Sequence, residues 1–229
     1  MISCEMMGRL GNQMFIAATA YSLALDNDDE VVFPRFISGI IPTIKETSIH
    51  RGTIFRNLKY VDDLSFVNRK HIHSEPQDHS YAEIPYKTNM FLHGYFQSEK
   101  YFKHNRQEIL NLFKPQEQIE RYLLKKYSNL IENKKCVSVH IRRGDDIEWC
   151  KQTFEGDNNV FVEKQDDVLD LYLMSKITNN IIANSSFSWW AAWLNENKDK
   201  TVISPKEWFG PRNQHLNRRD TTPEGWVII

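Results

Sequence analysis

Two adjacent arginines, Arg142 and Arg143, end the stretch Val137-Ser138-Val139-His140-Ile141-Arg142-Arg143-Gly144-Asp145. A guanidinium is always charged, and its planar fork of N–H donors matches phosphate oxygens in pairs. Two side by side could neutralise a departing diphosphate without a metal. Gly144, lacking a Cβ, lets the backbone approach a ligand closely. A second reading stays open, in which the arginines are surface groups at the end of a strand, paired with acids such as Asp145. The stretch Asn184-Ser185-Ser186-Phe187-Ser188 is a second candidate. Asn184, Ser185 or Ser186 can cap a helix whose first N–H groups face an anion. An ordinary capped core helix is the alternative there. Gly8-Arg9-Leu10-Gly11-Asn12-Gln13 is a third, weaker candidate. It fits neither the dinucleotide-binding fingerprint nor the P-loop pattern, but could hold a phosphate or shape an acceptor site.

The elements around these residues alternate between strand and helix. Met1–Met6 reads as a strand, running through the glycine loop into a helix over Met14–Leu25. Val31–Pro34 is a short strand ended by proline. Phe36–Asp78 reads as an irregular insertion. Met90–Tyr95 is a strand, and Asn105–Phe113 and Glu117–Leu130 are helices separated by Pro115. The apolar, β-branched run Cys136–Ile141 predicts a buried strand. Asn180–Asn184 and Thr201–Ile203 are further strands, with an aromatic-rich helix over Phe187–Asn195 between them. This alternation predicts an α/β fold with parallel sheets. The polar break Asn133-Lys134-Lys135 places a domain boundary there, giving an N-terminal domain over 1–132 and a C-terminal domain over 133–229.

Other features read as structural. The tryptophans Trp189, Trp190 and Trp193 are expected in the core rather than as a sugar platform. His71-x-His73 lacks a completed metal-ligand set. Asp166-Asp167 is a solvated turn or a helix cap, and Glu99-Lys100 a surface ion pair. Asp26-Asn27-Asp28 matches the Asp-x-Asp pattern of a metal-dependent sugar transferase but reads as a polar turn.

The 229 residues are 41% hydrophobic and 12% aromatic, enough for a sizeable core. A net charge of −1 gives no global field for nucleic acid or an anionic membrane. Cys4, Cys136 and Cys150 form no spaced framework and read as reduced thiols. The N-terminus lacks a signal-peptide pattern, and no apolar run is long enough to span a bilayer. A cytoplasmic protein, or one peripheral to a membrane, is expected.

Six blocks together resemble glycosyltransferase family 11, the bacterial-type α-1,2-fucosyltransferases. They are Gly8–Phe15, Gly94–Phe102, His140–Asp145, Asp170–Ser175, Asn184–Leu194 and Pro205–Phe209, in family order across most of the chain. The resemblance implies a GT-B-like architecture of two Rossmann-like halves facing a cleft. The N-terminal half would shape the acceptor side, including Gly8, Gly11, Asn12 and Gln13. The C-terminal half would hold GDP-fucose, with Arg142 and Arg143 as the catalytic diphosphate grip. His140, Gly144, Asp145, Asn184, Ser185, Ser186, Phe187 and Ser188 would bind the donor. It implies inverting transfer to the 2-OH of a β-galactoside glycan, with no metal cofactor. A transferase for another GDP-sugar and a non-catalytic nucleotide-sugar or carbohydrate-binding protein are the alternatives.

One departure stands out. After His-x-Arg-Arg-Gly-Asp the family normally has several dozen residues holding a loop, a helix and a strand. Here Asp145 is followed at once by Asp146. The C-terminal half is therefore expected to be incomplete. The segment is expected to be disordered and omitted from the chain as read; a deletion and a natural short form are the alternatives.

Overall fold

Alternating apolar runs and polar turns build parallel sheets flanked by helices. A computed structural model describes residues 1–35, 50–141, 147–156, 158–163, 165–213, 215–216 and 219–229. Its elements are β1 (Ile2–Cys4), α1 (Leu10–Asp26), β2 (Phe33–Pro34), β3 (Tyr60–Val61), β4 (Ile72–Ser74) and β5 (Met90–His93). They continue with α2 (Arg106–Leu112), α3 (Glu117–Ile131), β6 (Val137–Val139), α4 (Ile147–Thr153) and α5 (Asp167–Lys176). The last are β7 (Asn179–Ile181), α6 (Ser186–Leu194), β8 (Val202–Ser204) and β9 (Val227–Ile228). Every strand pair among the described residues is parallel, giving an α/β fold.

The chain divides into two compact units. The first holds 1–115 and 207–225, the second 116–206 and 226–229. The division falls ahead of the break expected near 133, because α3 groups with the second unit. Its apolar residue Leu123 is buried, and Lys176 Nζ at the end of α5 reaches Glu120 Oε1 at 2.7 Å. Asn133-Lys134-Lys135 is thus the turn from α3 into β6, not a linker. The chain also returns late to the first unit, where Asp220 accepts from Tyr81 N–H at 3.0 Å and pairs with Lys100.

In the first unit β1 pairs β5, and β5 pairs β4. On its other side β1 meets Val31 in a parallel bridge, and Val32 N–H donates to Ile2 O at 2.9 Å. β2 then pairs β3. The spatial order is β3-β2-β1-β5-β4. Four of these strands, β1 to β4, are only two or three residues long, and β3 and β4 carry too little periodicity to show in the sequence. The stretch expected to be irregular therefore contributes β3 and β4. α1 packs on β1 and is buried almost all round. Its alanines Ala17, Ala18, Ala20 and Ala24 are all in the core and let neighbours approach closely.

The second unit has strand order β6-β7-β8-β9. A buried amide network holds it. Asn180 Nδ2 donates to Ser138 Oγ at 2.6 Å, and Asn195 Nδ2, at the end of α6, donates to Asn180 Oδ1 at 2.9 Å. Asp166 caps α5, accepting from Val168 N–H at 2.9 Å. Trp189, Trp190 and Trp193 are buried against one another, with ring centroids 5.2 to 6.2 Å apart. Core packing is their role.

Against the expectation of a buried strand, β6 leaves Val137 46% and Val139 50% exposed. Among the described residues it pairs β7 alone, so it is an outer strand here. A strand in the middle of a parallel sheet is covered on both faces. Composition reports that tendency and not the presence of the cover.

Candidate functional site

In an open parallel sheet the carboxyl ends of the strands, where the strand order reverses, form the crevice that takes ligands. In the first unit the reversal lies between β1 and β5. Register pairs Cys4 with Leu92, so Glu5 and His93 are the next residues to leave the sheet, side by side. His93 Nδ1 lies 2.6 Å from Glu5 Oε2.

The loops beyond this pair are built from strained backbone. Gly8 has φ +72°, and a Cβ there would fall 2.5 Å from Asn12 Nδ2. Phe96, fully buried, has φ +52°, a left-handed conformation uncommon for a bulky side chain. Such strain persists only where the surroundings hold it. The holder is Glu75, just beyond β4. Its Oε1 accepts from Phe96 N–H at 2.7 Å and its Oε2 from Tyr95 N–H at 2.8 Å. Gly94 has no room for a Cβ, which would meet Glu75 Cβ at 2.3 Å.

Asn12 and Gln13 belong to the same cluster. Gln97 Nε2 donates to Asn12 Oδ1 at 2.9 Å, tying the loop after β5 to the first turn of α1. Gln13 Nε2 donates to Gly8 O at 2.9 Å and closes the glycine loop. Gln13 Oε1 is buried with no partner among the described residues. Gly11 is buried in the first turn of α1. The four residues expected on the acceptor side thus sit together at the end of β1. Glu5, His93 and Glu75 join them; pattern reading missed these because only the register of β1, β5 and β4 brings them together.

His79 completes the Glu75 cluster, with Nδ1 2.8 Å from Oε2. The hydrogen bond to Glu75 holds its pKa above the ordinary imidazole value, against the opposing effect of burial. A raised folded-state pKa adds stability that is complete below the unfolded value of about 6.5 and fades as pH rises through the folded value. His79→Ala is therefore expected to lower stability by up to about 1 kcal/mol near about pH 5.5 and by much less near about pH 8.5. Thermal melts at the two pH values check this, and equal losses at both would reject it.

In the second unit His140 follows β6, its N–H donating to Ile181 O at 3.0 Å. Its ring tilts against Phe187, with centroids 5.4 Å apart. The end of β6 and the first turn of α6 are therefore neighbours. Ser185 is the extended N-cap residue of α6, without a side-chain cap bond. Asn184, Ser185, Ser186 and Phe187 are half-exposed. Ser188 departs from its expected donor role. It is fully buried, with Oγ 3.3 Å from Ser185 O and 3.5 Å from Ala183 O, and so fastens the turn itself. Arg142, Arg143, Gly144 and Asp145 lie outside the described residues.

The remaining candidates make local contacts. His71 Nδ1 meets Thr88 O at 2.8 Å, and His73 stacks on Phe96. Burial pushes His73 below the ordinary imidazole pKa. Asp26 pairs with His104 and accepts from Asn105 Nδ2 at 2.7 Å. Lys100 pairs with Asp220. No group of three or more potential metal-ligating side chains occurs among the described residues.

The family model described as Glycosyl transferase family 11 matches residues 1–147 and 145–229. The chain belongs to this family. The O-antigen biosynthesis glycosyltransferase WbnK of Escherichia coli is 28% identical over 311 residues, covering 100% of both chains. The alpha-1,2-colitosyltransferase of Escherichia coli is 28% identical over 292 residues, covering 100% of this chain and 98% of its own. The two stretches matched by the family 11 model meet at residues 145–147. With 311 aligned positions against a chain of 229, at least 82 positions face a gap in this chain. No described helix is long and apolar enough to cross a membrane.

Proposed function

We propose that this family 11 glycosyltransferase moves L-fucose from GDP-β-L-fucose to the 2-OH of a β-galactoside, with inversion. The observation behind this reading is the match along the whole chain to family 11 and to a relative named as an α-1,2 transferase. The second unit would bind the donor. Arg142 and Arg143 would grip the diphosphate where β6 ends, beside His140 and the half-exposed N-terminal turn of α6. Helix N-termini attract phosphate oxygens, and preorganised cations stabilise charge growing on the leaving group. The first unit would bind the acceptor at the end of β1. The arginine pair would take the place of a metal, and a GT-B-like pairing of the two halves belongs to the same proposal.

The relative's name leaves the donor sugar as the variable to test. A panel of GDP-sugars against lactose, with and without EDTA, should release GDP fastest from GDP-fucose and at equal rates in both conditions. Faster release from another GDP-sugar would reassign the donor, and loss of activity with EDTA would overturn the metal-free mechanism.

The family match in two stretches supports a segment lost between Asp145 and Asp146. The expectation of a disordered stretch is withdrawn, since the full sequence joins these residues directly. A loss here also explains the open faces of Val137 and Val139, since it would take away cover beside β6. That supports a second reading, a nucleotide-sugar-binding protein without turnover. GDP binding by calorimetry, with no GDP release from any donor, would establish it over the first.

A further inference from the structure

The pair at the reversal point of the first sheet has the form of a general base and its orienting acid. Glu5 leaves β1 with its N–H donating to Leu92 O at 3.0 Å, so its backbone is still fixed by the sheet. Its side chain is 12% exposed, while that of His93 is 49% exposed. The carboxylate is therefore inside and the imidazole at the surface. With Glu5 Oε2 accepting from Nδ1–H, the lone pair of His93 lies on Nε2, which has no partner among the described residues. A base oriented by a third group through its far nitrogen is an arrangement suited to proton abstraction from a hydroxyl.

The other carboxylate nearby is unsuited. The Glu75 side chain is 3% exposed and already accepts from Tyr95 N–H, Phe96 N–H and His79. Among the described residues, the titratable groups at this end of the sheet include Glu5 at the end of β1 and the Glu75–His79 pair beyond β4. The adjoining polar groups Asn12 and Gln97, which span the two loops, could orient a sugar.

We infer that His93 is the general base for the acceptor hydroxyl and that Glu5 is its positioning residue. This deepens the glycosyl-transfer reading and rests on it. The acceptor O–H proton passes to His93 Nε2 as the acceptor oxygen bonds to the anomeric carbon of the donor. The bond from that carbon to the β-phosphate oxygen breaks, and its electron pair leaves on GDP. No electrons are exchanged with any further reactant.

The test measures kcat, acceptor KM and the pH dependence of kcat with GDP-fucose and lactose, alongside GDP affinity by calorimetry. His93→Gln should lower kcat about a hundredfold, leave GDP affinity unchanged, and remove the fall of kcat on the acid side. Glu5→Gln should lower kcat about tenfold at unchanged acceptor KM, with Glu5→Asp restoring most of it. A His93→Gln enzyme within about threefold of normal kcat, or one keeping the acid-side fall, would overturn the inference. So would activity lost only together with fold or GDP binding. Should His93→Gln not fold, the Glu5 variants decide, and normal kcat in Glu5→Gln refutes the pair. A wild-type protein that turns over no donor overturns the transfer reading and the base together. An active wild type with a normal His93→Gln overturns the base alone.

Discussion

Arg142→Ala is expected to lower kcat by about 10²–10³, the loss seen when one preorganised charge-stabilising donor is removed from an active site. On the proposed reading the leaving group is a nucleoside diphosphate, whose negative charge would grow as the glycosidic bond to phosphate lengthens. A neighbouring fixed cation interacts more strongly with that transition state than with the bound donor, so the loss falls mainly on kcat. Lysine should restore only part of it, because an ammonium cannot present two parallel donors to one phosphate. GDP affinity should also weaken, since GDP carries the same diphosphate. Turnover assays with GDP-fucose and calorimetry with GDP check the two effects. Near-normal kcat in Arg142→Ala would reject the diphosphate grip.

The largest stability effect is expected at Glu75. Its carboxylate satisfies Tyr95 N–H, Phe96 N–H and His79 from a position 3% exposed. Glu75→Ala leaves two backbone donors without their acceptor and strands the His79 ring. Breaking a buried charged partner set of this kind costs about 3–5 kcal/mol. It also releases Phe96 from its left-handed conformation, so the loop from Gly94 to Ser98 should rearrange. Glu75→Gln keeps one acceptor oxygen and should lose roughly half as much. Urea unfolding of the three proteins checks the order, and a loss below about 1 kcal/mol in Glu75→Ala would show that the loop holds its shape unaided.

Much of the fold could be read from the sequence where segments are long. α1, α3 and α6 follow from helical spacing, and β1, β5, β7 and β8 from short apolar runs. β3, β4 and β9 are too brief for any period to register. The expected burial of β6 fails at Val137 and Val139, because burial depends on neighbours that residue type alone does not supply. At the site, Asn12 and Gln13 could be found because they sit next to glycines on one continuous motif. Glu5 and His93 are 88 positions apart and meet only through the Cys4–Leu92 register. Ser188 shows the reverse case: the motif selects it, but the turn consumes its hydroxyl.

The late return of the chain to its first unit bears on how the protein can be dissected. Asp220 supplies the acceptor for Tyr81 N–H and the counter-charge for Lys100, while β9 completes the second sheet a few residues later. A fragment stopped at Pro115 would lack that aspartate, and one truncated before Trp226 would lose the last strand of the other sheet. Neither unit can be excised as a continuous piece, so probes of acceptor or donor binding belong on the intact polypeptide, with each side silenced by substitution.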